Sequence, residues 1–163
     1  MRPVVTIALS LMATLLVGGC DRPSGPENRN EAADSATVSG LIIRESWARE
    51  TVEGAPTGAV YFTIRNDGGE PDSLLSAETE VAERAEIHGH VHEGDMMRMR
   101  RLETLEIAPG DSVALSPGGN HLMLFGLKRS LHPGDRFMLV LDFANAGQIE
   151  VPVEVRSMAE SSN

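Results

Sequence analysis

The stretch Ile149-Glu150-Val151-Pro152-Val153-Glu154-Val155-Arg156 alternates apolar and polar side chains over eight residues, the period of a strand with one buried face. Pro152 has no N–H to give a ladder, which confines this strand to an edge or a bulge. Upstream, Phe137, Leu139, Leu141 and Phe143 make one face of a second strand. Leu41-Ile42-Ile43 to Trp47 and Ala59-Val60-Tyr61-Phe62-Thr63-Ile64 predict two more, and Val113 and Leu115 alternate in a short one. Turn residues separate them: Asn66-Asp67-Gly68-Gly69, Pro109-Gly110-Asp111, Pro117-Gly118-Gly119-Asn120, Pro133-Gly134-Asp135 and Asn145-Ala146-Gly147. Short strands at regular spacing predict an all-β domain, an antiparallel sandwich or barrel, over residues 37–157. Only Glu78–Glu86 is ambiguous and compatible with a helical turn.

The whole chain has 163 residues, 41% hydrophobic and 23% charged, which fits one globular domain. Its 24 acids against 14 bases give a formal charge of −10, and its aromatic content is 4%. Neither a basic nucleic-acid surface nor a base-stacking platform is expected. Residues 1–20 read as an export signal: Arg2, an apolar run Val4–Val17 too short to span a bilayer comfortably, then Val17-Gly18-Gly19-Cys20. Small residues before a cysteine resemble the lipobox of bacterial lipoproteins, which makes Cys20 the lipidated first residue of the mature chain. Asp21 resembles an inner-membrane retention signal. Residues 21–36 are polar and aperiodic, a tether of about 50 Å at full stretch and about 22 Å on average. Residues 158–163 are a short polar tail. The expected location is the periplasm, lipid-anchored to the inner membrane.

Cys20 is the sole cysteine, so the mature domain has no thiol. Its soft donors are methionines. Four of the six that follow Cys20, Met96, Met97, Met99 and Met123, fall close together, and four of the five histidines, His88, His90, His92 and His121, lie in or just before that segment. His88, His90 and His92 share a face of a strand, as do Met97 and Met99. A two-residue turn at Gly94-Asp95 would pair Glu93 with Met96, hence His92 with Met97 and His90 with Met99, all on one face. His121 and Met123 share a face, and Leu122 and Leu124 then point to the core. Two imidazoles with two thioethers suit Cu(I), a soft ion, far better than calcium, magnesium or zinc. Imidazoles bind metal only when unprotonated, so affinity should fall below about pH 6. Singly, each methionine reads as core filler and each histidine as exposed surface. His132, before Pro133, reads as a turn residue.

The spacing His88-x10-Met99-x21-His121-x-Met123 resembles the copper motif of the periplasmic PCuAC copper-chaperone family. Further text resembles it: Trp47-Ala48-Arg49, Thr57-Gly58-Ala59-Val60-Tyr61, Met97-Arg98-Met99-Arg100, and Pro117-Gly118-Gly119-Asn120-His121-Leu122-Met123-Leu124 with Gly126-Leu127-Lys128. The resemblance covers residues 37–157. It implies a cupredoxin-like β-sandwich of Greek-key type, one copper ion on His88, Met99, His121 and Met123, and delivery toward the CuA centre of cytochrome c oxidase, alone or with Sco-type thiol proteins. The hairpin register, in contrast, sets His90 opposite Met99; a bulge near Gly89 or a longer loop at Glu93–Asp95 would restore His88. His90 and Met97 are therefore the alternative ligands. Asn120 stands where the family commonly has an aromatic residue, and Gly89 where it often has glutamate, which implies a more open outer shell. The His/Met-rich tail of some members is absent, Met158 being its one candidate donor.

Four ligands leave no open position, so the expectation is a carrier and not an enzyme. Blue-copper electron transfer would require a thiolate beside the metal, which the mature domain lacks. A metalloenzyme on His88, His90 and His121, a copper store and a metal-free scaffold are the competing readings.

Overall fold

The computed structural model of the chain covers residues 35–93 and 96–157, with backbone alone at residues 35, 90–93, 96 and 97. The lipobox, Cys20, most of the tether, the Gly94-Asp95 turn and the tail with Met158 lie outside the described residues. The described residues form eleven strands and no helix: β1 (Ser35–Val38), β2 (Leu41–Arg49), β3 (Thr57–Asn66), β4 (Asp72–Thr79), β5 (Arg84–Glu93), β6 (Met96–Arg101), β7 (Leu105–Ile107), β8 (Ser112–Leu115), β9 (His121–Phe125), β10 (Arg136–Phe143) and β11 (Gly147–Arg156). They make one continuous ladder, β6-β5-β9-β3-β2-β11-β10-β4-β7, with β1 also on β2 and β8 also on β3. The sheet curls so that β4 packs against β5.

Alternation places the core as the sequence predicts. Phe137, Leu139, Leu141 and Phe143 are buried, as are Ile149, Val151, Val153 and Val155 on the paired strand β11. β11 meets β2 only from Glu154 to Arg156, so Pro152 sits where that side of the strand has no ladder to interrupt. That β11–β2 pair is parallel, the one departure from the antiparallel sandwich expected.

Three strands escape the sequence reading. β1 begins at Ser35, inside the expected tether, and folds back on β2 through Ser39 and Gly40, both at positive φ (52° and 85°) as a tight two-residue hairpin demands. β4 is disguised by a bulge: Leu74 pairs with Phe143 and Ser76 with Asp142, which leaves Leu75 extra and breaks the alternation. β7 has only three residues. Glu78–Glu86 makes no helix; it is the end of β4, a turn, and the start of β5, both strands being held by ladders. A second bulge, in β2 between Arg44 and Trp47, has Glu45 at φ 55°. It turns Ser46 and Ala48 inward and leaves Trp47 beside Tyr61 on the outer face, ring centres 4.5 Å apart.

Candidate metal centre

β5 lies between β6 and β9, and its two ladders decide which side chains can meet. On one side Glu93 pairs with Met96, His92 with Met97, His90 with Met99 and His88 with Arg101, the register that a two-residue turn gives. On the other side His88 pairs with His121 and Glu86 with Met123. Directly paired residues share a face, so Glu86, His88, His90, Met97, Met99, Arg101, His121 and Met123 are all on one. Among the described residues the register runs unbroken from His88 to Glu93, with no bulge near Gly89. His88 is nonetheless the central residue. It has His121 directly opposite, Met99 on one diagonal and Met123 on the other. His90 sits opposite Met99 but beyond the first residue of β9, so no β9 residue faces it.

β9 is held by what points inward. Leu122 and Leu124 are fully buried, which directs His121 and Met123 to the outer face. The preceding turn, with Gly118 at φ 80°, closes through Gly119 N–H to the Ser116 carbonyl (2.9 Å) and Ser116 N–H to the Asn120 carbonyl (2.7 Å). Its Gly119 carbonyl accepts a hydrogen bond from His121 Nδ1 at 3.0 Å. That bond fixes the ring, and His121 is only 8% exposed.

His88 is fixed differently. Its Nε2 donates to Glu86 Oε2 at 3.1 Å, while Glu86 Oε1 accepts from Arg84 Nε at 3.1 Å and has Arg101 Nη1 at 3.9 Å. The His88 hydrogen bond holds the Glu86 carboxyl below the ordinary carboxylate range; partial burial opposes this, and Arg101 and Arg84 reinforce it. Phe125 lies 5.9 Å from the His88 ring centre, with the Arg84 guanidinium 4.6 Å over its face. The His88 and His121 ring centres are 5.9 Å apart. Two imidazoles on one ion, with metal–nitrogen bonds of about 2 Å, have ring centres about 5–6 Å apart, so the pair fits a shared metal.

Among the described residues no group of three or more His, Cys, Asp or Glu side chains could hold a metal. On the two diagonals of His88, the registers offer the thioethers of Met99 and Met123. Met99 is 52% exposed and Met123 is half-buried, beside a groove lined by Arg49, Thr51, Ala59 and Tyr61. His132 is at the surface in the Pro133 turn, as expected.

The expected openness at Gly89 and Asn120 is not found. The two residues meet on the opposite face, where Gly89 is buried beneath the Asn120 amide and Leu102. Sequence reasoning missed Glu86, although it extends the spacing of two that joins His88, His90 and His92.

Solved PCuAC domains share this fold. The copper-bound PCuAC domain from PmoF2 aligns with a TM-score of 0.65 and 21% identity, covering 76% of this chain and 97% of that one. The CuI form of DR1885 from Deinococcus radiodurans aligns with a TM-score of 0.56 and 26% identity, over 80% of this chain and 86% of that one. In sequence, "Putative lipoprotein Lxx21020" of Leifsonia xyli subsp. xyli is 26% identical over 153 residues, 91% of this chain and 88% of that protein. Residues 41–155 match the family described as "Putative lipoprotein LpqE-like", and with more than half its length in that match the chain belongs to the LpqE-like lipoprotein family.

Proposed function

We propose that this chain is a copper chaperone of the periplasm, anchored by a lipid on Cys20 to the inner membrane, and a carrier in place of an enzyme. It binds one Cu(I) through His88, His121, Met99 and Met123 and passes it toward the CuA centre of cytochrome c oxidase, alone or with a Sco-type thiol protein. One observation carries the reading: a direct cross-strand pair of imidazoles on an outward face, with a methionine on each diagonal. The PmoF2 domain and DR1885, both solved with copper, support it as relatives in fold.

The donor set suits a cargo that must leave. Thioethers are neutral, soft ligands. Met99, largely exposed, is the ligand an incoming thiolate would displace first; the imidazoles, held from behind, would let go last. Transfer of this kind changes neither the oxidation state of the ion nor any group of the carrier.

The test is metal titration of the chain from residue 35 onward. One Cu(I) should be retained in the presence of equimolar zinc, and equal or stronger retention of zinc would overturn the reading. A copper-loaded protein that never yields its ion to a CuA-type or Sco-type acceptor would instead be a store.

A further inference from the structure

We infer that Glu86 is the positioning residue of this site, and that it makes the two histidines present different nitrogens to the metal: His88 its Nδ1, His121 its Nε2. This rests on the copper reading above and deepens it.

Each ring has one nitrogen already committed. His121 Nδ1 is tied to the Gly119 carbonyl at 3.0 Å, and a carbonyl accepts but cannot donate, so Nδ1 carries the proton and Nε2 keeps the lone pair. In His88 the committed nitrogen is Nε2, 3.1 Å from the Glu86 carboxylate, which is likewise acceptor-only. The lone pair of His88 is then on Nδ1. Glu86 is well placed to impose this. Its other oxygen is held by Arg84 at 3.1 Å, Arg84 lies over Phe125, and Phe125 flanks the His88 ring. The carboxylate is fixed on one side by guanidinium and fixes the imidazole on the other. A carboxylate bonded to the distal nitrogen of a metal-binding histidine sets the ring's tautomer and raises its basicity; its removal typically costs about 10- to 100-fold in metal affinity. Glu86 shares the outward face with Met123 directly opposite, so its own hydrogen bonds decide whether it ligates or orients; with both oxygens occupied, it orients.

Cu(I) is diamagnetic, so imidazole nitrogen NMR reads both tautomers with and without metal. The expected spectrum has protonated Nε2 on His88 and protonated Nδ1 on His121 in the free protein, with Cu(I) shifting Nδ1 of the first and Nε2 of the second. Glu86→Ala should release the His88 tautomer and weaken Cu(I) about 10- to 100-fold. Glu86→Gln, whose amide oxygen still accepts from Nε2–H, should preserve the tautomer and lose less. Copper bound through Nε2 of both rings, or an unchanged tautomer and affinity in Glu86→Ala, would overturn the inference. Failure of Cu(I) to move either ring would sink the copper reading alone, since the tautomers of the free protein still judge the role of Glu86.

Discussion

A Cβ added to Gly89 would lie 2.7 Å from Asn120 Oδ1 and 2.7 Å from Leu102 Cδ1. The two residues that depart from the family text are thus in contact with each other: the absent side chain at 89 makes room for the amide at 120. Gly89→Glu should cost about 1–3 kcal/mol of stability by overpacking, read from denaturation midpoints, and Asn120→Ala in the same chain should recover part of it. At the next position, His88→Ala should weaken Cu(I) at least about tenfold more than His90→Ala, about 1.4 kcal/mol in a competition titration. His88 alone has β9 across from it, so the reverse order would show that the thioether partner outweighs the imidazole partner. Much of this was legible in the sequence. The spacing of two names the face, and the motif singles out His88, Met99, His121 and Met123, which the registers bring onto that face. The direct meeting of His88 with His121 was not, because it depends on β9 lying next to β5 across 33 positions of chain, which no local period encodes. Glu86 escaped for a related reason: a glutamate on a strand looks like solvated surface until its partners are known.

At the scale of elements, β9 does two things with five residues. Its inward leucines anchor it and its outward residues carry donors. Leu122→Ala should therefore cost about 2–5 kcal/mol and also loosen Cu(I) binding, a paired loss visible by denaturation and by titration; loss of stability with unaltered affinity would mean that β3 and β5 hold the donors in place unaided. The turn before β10 gives a pH test. Asp135 accepts from His132 N–H at 3.1 Å and from Arg129 Nη1 at 2.7 Å, and these bonds hold its carboxyl below the ordinary range, the His132 amide contributing most. A carboxyl with a lowered folded-state pKa adds stability above the ordinary aspartate value and loses it as pH falls through the lowered one. The stability gap between wild type and Asp135→Asn should thus be present at neutral pH and close on acidification, as urea midpoints across pH will show. Strands with clean alternation, β10 and β11, were readable in advance. β4 was not, since its bulge inserts Leu75 and cancels the period that reveals a strand.

For the whole molecule, the lipoprotein family and the Val17-Gly18-Gly19-Cys20 sequence bear on location. Cys20→Ser should move the processed protein from the membrane fraction to the soluble one, because the acyl chains supply the anchoring free energy; retention after signal removal would place the anchor elsewhere. Composition and alternation announced the fold class, whereas the parallel β11–β2 pair joins opposite ends of the chain and has no local signature. The β1–β2 hairpin has a mechanical meaning. Tension on the chain ahead of Ser35 falls first on the pair Ser35–Arg44, at the open end of that hairpin. Bonds loaded there part in succession, as in a zipper, whereas β2 is held along its other edge by β3. Thr37 and Val38 are exposed and Ala36 packs partly buried against the core, so the burial that resists is modest. Release of the four residues would add about 13 Å to the reach of the chain ahead of Ser35, and re-pairing would take it back: a hairpin in series with the expected lipid anchor.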